Sequence, residues 1–342
     1  MATVNRQITL ASRPVGLPKI SNFQLAYAPL PSPAPGEVLV RSIYLSLDPY
    51  MRGRMSDAES YARPVAIGEV MTGGAVGLVV ESGDPGFRVG DAVVGMLGWQ
   101  LFAVAPGCEL RKLDRSRAPI STALGVLGMP GLTAFFGLLD ICEPQRGETV
   151  MVSGAAGAVG TLVGQIAKIK GCRVVGMAGS DAKVAWLLGE LGFDAAFNYK
   201  TSGDLHGRIG ELCPEGVDVY FDNVGGAMTD AVVRRLNARA RICLCGQISQ
   251  YNLEEPAVGP RWLGQLIVKQ VKVQGFLVSG YAERFPAGLE QLASWLQQGK
   301  LKYREDVAQG IEAAPQAFIA MLQGKNQGKQ LVQLSESTKE TP

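Results

Sequence analysis

A chain of 342 residues is long enough for two domains of ordinary size and too long for one simple core. Its 33 Lys+Arg nearly cancel 31 Asp+Glu, so the bulk charge gives no reason to expect a nucleic acid or an anionic membrane as partner. Apolar residues make up 47% of the chain, yet glycines and charges break every apolar run short of a membrane span. Residues 1–14 are polar, without the apolar stretch that a secretory signal needs.

In chain order, residues 1–124 read as short strands between Pro/Gly turns. Glu37–Tyr44 is a strand launched by the turn Pro33-Ala-Pro-Gly36, and Gly74–Glu81 and Asp91–Gly95 are two more, split by Gly83-Asp-Pro-Gly86. This spacing predicts a compact β-barrel-like domain. The texture changes near Leu124, where helical patterns begin to alternate with short apolar strands as in βαβ units. The predicted elements are strand Thr149–Ser153, helix Ala158–Lys170, strand Arg173–Ala178, helix Ala182–Leu191, strand Val217–Asp222, helix Gly226–Leu236, strand Ala240–Cys245, strand Val271–Phe276 and helix Phe285–Gln298. After Lys302 come a short strand, a helix over Ala313–Leu322 and a strand over Gln330–Leu334, with a disordered tail expected after Ser335. The six cysteines are scattered, with no C-x-x-C among them, which predicts reduced, mostly buried thiols in a cytoplasmic protein.

The turn Gly154-Ala-Ala-Gly157-Ala158-Val159-Gly160 follows a predicted strand and opens a helix, the context that makes a glycine pattern a dinucleotide site. Glycines keep side chains away from the pyrophosphate, and the N-terminal N–H groups and dipole of the helix favour its charge. The alternative reading is that they only allow tight helix–sheet packing. An NAD site would carry Asp or Glu at the tip of the next strand. That strand ends instead in Met177-Ala-Gly-Ser180, with Lys183 just beyond and Tyr199 after a later strand. Ser180 and Lys183 can hold a 2′-phosphate through a charge-assisted pair, which predicts NADP(H). The competing reading makes Lys183 a solvated helix charge and Asp181 a cap.

Five segments carry a family resemblance: Leu47–Met55, Leu127–Ala134, Gly154–Gly160, Phe221-Asp-Asn-Val-Gly-Gly226 and Gly246-Gln-Ile-Ser-Gln-Tyr-Asn252. Together they resemble the zinc-independent branch of the medium-chain dehydrogenase/reductase superfamily. The group they look most like contains leukotriene B4 12-hydroxydehydrogenase, prostaglandin reductase, alkenal double-bond reductase and curcumin reductase. The resemblance runs to Gly324-Lys-Asn-Gln-Gly-Lys329. It implies an α/β chain: a GroES-like β-barrel domain over 1–124, completed by 303–342, and a Rossmann doubly wound parallel-sheet domain over 125–302. It also implies an active site in the cleft between the domains, and a homodimer. By motif, Gly157, Ala158, Val159 and Gly160 would hold the pyrophosphate, while Lys183 and Tyr199 would serve the adenosine phosphate. Thr133, Asn223, Cys245, Gly246, Tyr251, Phe276, Leu277, Val278 and Asn326 would line the rest of the cofactor.

Other chemistries lack their residues. The single histidine, His206, lies in a polar helix-like stretch and reads as a surface residue, and no cysteine cluster accompanies it, so no metal site is expected. Cys243 and Cys245 would share one strand face as packing residues. No tyrosine has a lysine four residues on, and the lone histidine leaves no hydrolase triad. Hydride transfer with a polar group to manage the developing charge remains, and the resemblance implies that the acceptor is a small enone or enal. Tyr251 could donate to the developing enolate oxygen, an ordinary phenol being protonated at neutral pH, with the cofactor ribose hydroxyl as second donor and water protonating the α-carbon. Its alternative role is a loop tyrosine shaping an apolar pocket. Tyr50, after a turn-like Asp-Pro, is a candidate catalytic or substrate-wall residue expected to be exposed together with Arg52, which could instead make a structural salt bridge. Met51, Met55, Met129 and Met177 read as gap-filling core. The competing functions are an NADPH:quinone oxidoreductase and a non-catalytic NADP-binding protein.

Overall fold

The computed structural model describes residues 4–336, so the predicted tail beyond Glu336 lies outside the described residues. The chain divides into two compact units, one formed by residues up to Leu124 and from Glu305 on, the other by Gly125–Arg304. In chain order the first unit contributes β1 (Val4–Leu10), β2 (Phe23–Pro29), β3 (Glu37–Ser46), the one-turn α1 (Met51–Arg54), β4 (Ala75–Ser82), β5 (Ala92–Gly95), β6 (Phe102–Pro106) and β7 (Arg111–Lys112). The second supplies α2 (Met129–Phe136), β8 (Thr149–Val152), α3 (Gly160–Ile169), β9 (Arg173–Ala178), α4 (Asp181–Gly189), β10 (Ala195–Asn198) and α5 (Leu205–Leu212). It continues with β11 (Val217–Asp222), α6 (Ala227–Val233), β12 (Leu236–Leu244), α7 (Leu263–Lys269), β13 (Lys272–Gly275) and α8 (Phe285–Gln297). The chain then returns to the first unit with β14 (Glu305–Gln309), α9 (Ala314–Leu322) and β15 (Lys329–Gln333).

The first unit is β-rich. Its main sheet runs β14-β15-β3-β4-β5-β7, with β6 also on β3, and β1 and β2 form a separate antiparallel pair. The apolar strand β3 organises this sheet: β4 lies along it, β6 pairs with its first half and β15 with its last three residues. The core centres on Trp99, stacked on Phe23 at 5.7 Å and met edge-on by Phe318 at 5.6 Å, which ties β2 and α9 to the sheet. Such aromatic pairs add to the stabilisation that burial alone supplies.

A buried ion pair fastens the returning C-terminal strand to the end of β3. Lys329 Nζ donates to Asp48 Oδ1 at 3.0 Å, to the Leu47 carbonyl at 2.7 Å and to the Gln330 carbonyl at 3.1 Å. The Ser46 hydroxyl donates to the other Asp48 oxygen. The turn that follows is not exposed as its Asp-Pro suggested: Arg52 is buried and Tyr50 half-buried. The cause is local, since the Arg52 guanidinium caps the carbonyls of Pro14 and Gly16 at 3.3 and 3.0 Å. Arg54 is also buried; it donates to the Ala62 carbonyl and lies over the Tyr61 ring. Met51, Met55 and Met177 are core residues, whereas Met129, the first residue of α2, is 41% exposed and leaves the predicted set.

In the second unit six parallel strands lie in the order β10-β9-β8-β11-β12-β13. Numbered from β8 this is 3-2-1-4-5-6, the doubly wound Rossmann order, and its switch point falls between β8 and β11. The strands are short and apolar because both faces are covered. Most boundaries lie within two residues of the sequence reading, and two of the differences have a clear local cause. The helix after the glycine turn begins at Gly160 rather than Ala158, because Gly157–Val159 are spent in the turn. β12 begins at Leu236, pairs there with Val217, and so cuts the preceding helix short at Val233; a register shift and a positive φ at Arg239 absorb the mismatch. His206 in α5 is half-buried rather than on the surface, with Nδ1 covered by protein. All six cysteines are free; Cys243 is buried, while Cys245 falls just past the end of β12.

Removing one partner of a buried ion pair strands the other, at a typical cost of about 3–5 kcal/mol. Lys329→Met is therefore expected to destabilise the first unit by that amount, read as a lower urea midpoint at unchanged slope.

Candidate cofactor and active site

All six parallel strands end at one edge of the sheet, and a predicted site residue follows nearly every end. Gly154–Gly160 follow β8, Gly179–Ser180 follow β9, Tyr199 follows β10, Asn223 follows β11, Cys245 and Gly246 follow β12, and Phe276–Val278 follow β13. Ligands of open α/β sheets bind outside this carboxyl edge, at the switch point.

The glycine turn is built from close backbone approaches. Gly154 has φ +58°, a conformation that favours glycine, and its carbonyl accepts from the Gly157 amide at 3.0 Å. A Cβ on Gly160 would fall 2.4 Å from the Gly154 carbonyl oxygen, so any side chain there displaces backbone. Thr161 N–H then donates to the Gly157 carbonyl, starting α3 directly above the turn. The result is a helix N-terminus opening directly from a turn whose side chains are only those of three alanines and Val159 between its glycines. These residues fit the pyrophosphate of a dinucleotide.

At the ends of β9 and β10, Ser180 is the N-cap of α4, its hydroxyl accepting from the Lys183 amide at 3.3 Å. Asp181 is therefore not the cap; its carboxylate takes the Asn198 side-chain amide at 2.8 Å. Lys183 lies in the first turn of α4 and is half-buried. Tyr199 covers the tip of β9, where a Cβ on Gly179 would meet its hydroxyl at 2.9 Å. Burial raises the Tyr199 phenol above its ordinary pKa, so it stays protonated as a hydrogen-bonding group.

Between β11 and β12 the organising group is one that the sequence reading did not single out. The buried Asp222 carboxylate accepts from six donors. Four reach Oδ1: the hydroxyls of Ser153 (2.8 Å) and Tyr220 (2.9 Å), and the amides of Val224 (3.0 Å) and Gly225 (2.9 Å). Oδ2 takes the Thr229 hydroxyl (2.6 Å) and the Gln247 side-chain amide (3.2 Å). The Asp222 carbonyl accepts from the Cys245 and Gly246 amides. Asn223 ties back to Ser153 twice, through its backbone amide to the hydroxyl and its side-chain amide to the carbonyl, both at 2.8 Å. The available signal was a lone carboxylate closing an apolar strand, Val217–Asp222, just before Asn-Val-Gly-Gly. Tyr251 belongs to this cluster: its Oη accepts the Gln247 backbone amide at 3.2 Å, and a Cβ on Gly246 would lie 3.4 Å from it. Burial first, then the Asp222 charge, pushes the Cys245 thiol up to about 12, so it lines the site as a neutral group.

The remaining predicted residues divide between the units. In the second, Thr133 is buried in α2, and Phe276 packs close to Gly137, where a Cβ would meet its ring at 2.8 Å. Leu277 is exposed and Val278 half-buried. In the first, Asn326 donates to the Gly328 carbonyl at 2.9 Å, shaping the turn before β15. Tyr50 also lies in the first unit, where burial, and then the Asp48 charge, raises its phenol far above the ordinary value. A surface groove of about 580 Å³ lies beside the start of α4 and the end of β10, lined by Asp181, Asn198, Asp204, Arg208 and Glu211 among others.

Comparison with known proteins agrees with this architecture. Residues 6–113 match a family model described as the N-terminal domain of oxidoreductase, and residues 158–294 one described as zinc-binding dehydrogenase. The chain is 46% identical to the NADPH-dependent curcumin reductase of Escherichia coli, covering 97% of each chain. It is 45% identical to the NADP(+)-dependent 2-alkenal reductase of Nicotiana tabacum, over 97% of this chain and 98% of that one. The crystal structure of CurA from Vibrio vulnificus in complex with NADPH matches with a TM-score of 0.93 and 49% identity, over 97% of this chain and 99% of that one. These matches define an oxidoreductase of the medium-chain dehydrogenase/reductase type. Within that type, the chain belongs to the zinc-independent family of the curcumin, 2-alkenal and prostaglandin reductases. Zinc appears in one model's description, but among the described residues no group of three or more His, Cys, Asp or Glu is placed to hold a metal ion.

Proposed function

We propose that this chain is an NADPH-dependent reductase of the carbon–carbon double bond of α,β-unsaturated ketones and aldehydes. The observation that carries this reading is near-full-length likeness to a curcumin reductase and a 2-alkenal reductase, joined to a carboxyl-edge cradle with no acidic residue at the tip of β9. Gly157–Gly160 bind the pyrophosphate, and Ser180, Lys183 and Tyr199 bind the adenosine phosphate. Thr133, Asn223, Cys245, Gly246, Phe276, Leu277 and Val278 line the rest of the cofactor. When bound, NADPH supplies a hydride for the β-carbon of the enone. Tyr251 donates its phenolic hydrogen to the carbonyl oxygen as negative charge grows there, and water protonates the α-carbon. Tyr50 stays un-ionised across the working range.

The same proposal includes a homodimer and a cytoplasmic location. Strand β13 ends the parallel sheet, paired among the described residues only with β12. Beside it in sequence, α7 buries none of its residues and exposes Leu263, Ile267 and Val268, the last at 82%. An open strand edge next to an exposed apolar helix favours pairing with a second copy. For the location, six free cysteines suit a reducing compartment, and among the described residues no helix is long and apolar enough to cross a membrane.

Three measurements test this reading. NADPH absorbance should fall when the protein is mixed with small enones or enals, and Tyr251→Phe should lower kcat by roughly a hundredfold. Turnover of quinones with none of any enone would overturn the activity, and an unchanged kcat would remove Tyr251 from it. Lys183→Ala should weaken NADPH by about 1.5–3 kcal/mol and leave NADH nearly unaffected, as measured by titration with each cofactor. Ile267→Asp should convert a dimer into a monomer in sedimentation equilibrium; an unchanged mass would assign the apolar helix another role.

A further inference from the structure

The buried carboxylate and the tyrosine loop are joined through one side chain. Gln247 Nε2 donates to Asp222 Oδ2 at 3.2 Å and to its neighbour's carbonyl, Gly246 O, at 3.1 Å. The same residue's backbone amide donates to Tyr251 Oη at 3.2 Å. Its amide lies close against Gly225, where a Cβ would fall 2.0 Å from Gln247 Oε1, and Gly225 has φ +75°. The loop is closed further by the Gln250 amide on the Gln247 carbonyl at 2.8 Å and by Ser249 on Val224. Gln247 is thus held at its side-chain end by a fixed charge and presents its backbone to the phenol.

We propose that Gln247 is a positioning residue for Tyr251, anchored by Asp222. This deepens the reading of Tyr251 as enolate donor and rests on it. The physical argument is that a loop tyrosine has two soft side-chain torsions, and misplacement of a donor by about 1 Å costs on the order of a hundredfold in rate. A hydrogen bond accepted by its oxygen from a fixed amide restricts those torsions. It also polarises the O–H, strengthening donation to a developing negative charge. The amide is fixed because a charge-assisted bond anchors its own side chain to the rigid end of β11. Asp222 does not touch the reacting atoms; it acts through Gln247.

A double-mutant cycle on the full-length protein tests this. Gln247→Met keeps length and removes the donor, and Gln247→Asn keeps the amide but falls one methylene short of Asp222. Each is expected to lower enone kcat roughly tenfold with the NADPH dissociation constant nearly unchanged, while the thermal midpoint falls because buried Asp222 loses a donor, so kcat is read well below that midpoint. In a Tyr251→Phe background, where the oxygen is gone, the same substitutions should have no further effect on kcat. If they lower kcat by their full factor in that background, Gln247 acts independently of the phenol and the proposal is overturned while Tyr251 keeps its role. If Tyr251→Phe alone leaves kcat unchanged, the reading of Tyr251 fails first and the proposal falls with it. A loss in NADPH affinity matching the loss in kcat would make Gln247 a cofactor-loop support instead.

Discussion

A carboxylate with no access to water must find its donors inside the protein, and Asp222 imposes that constraint on the second unit. Its six donors come from the end of β8, from β11 itself, from the turn before α6, from α6 and from the loop after β12. Leaving any of them unmade exposes a charge to a low-dielectric interior, so the segments are held in one arrangement. The glycine turn begins one residue after Ser153, and Tyr251 lies four residues after Gln247. The cradle and the candidate donor thereby share one anchor.

The parallel sheet makes that anchor effective. With every strand running the same way, six loops emerge on one edge, and short apolar strands leave little slack in where each loop starts. Glycine serves here by absence: Gly160, Gly179 and Gly225 each sit where a Cβ would strike a neighbour within 3 Å. What the first unit adds is built on the opposite sign of charge. Lys329 is a buried cation there, and by pairing with Asp48 it fixes the turn carrying Tyr50 to the strand that follows Asn326.

Much of this was legible in the chain. The glycine turn between a strand and a helix and the carboxylate-free tip of β9 are local patterns, and local patterns survive translation into structure. The misreadings were of exposure and of boundaries. Asp48-Pro49 reads as an exposed turn, yet Arg52 and Tyr50 are covered because carbonyls from residues 14–16, far away in sequence, lie against the guanidinium. Helix α6 carries helical periodicity past Val233, but pairing of Leu236 with Val217 claims those residues for β12. Tertiary pairing overrides local propensity wherever the two compete.

By itself, then, the sequence determined the strand and helix periods, the βαβ alternation of the second unit and the glycine-rich turn between a strand and a helix. These depend on residue spacing along one segment, which a linear reading contains. Only the tertiary structure decided which side chains are anchored to which. Asp222, Ser153, Thr229 and Gln247 span 95 positions of sequence, from 153 to 247, and meet within hydrogen-bond distance of one carboxylate. Nothing in the spacing of such residues marks them as partners. Their meeting follows from strand order and register, and from the energetic demand that a buried charge be satisfied.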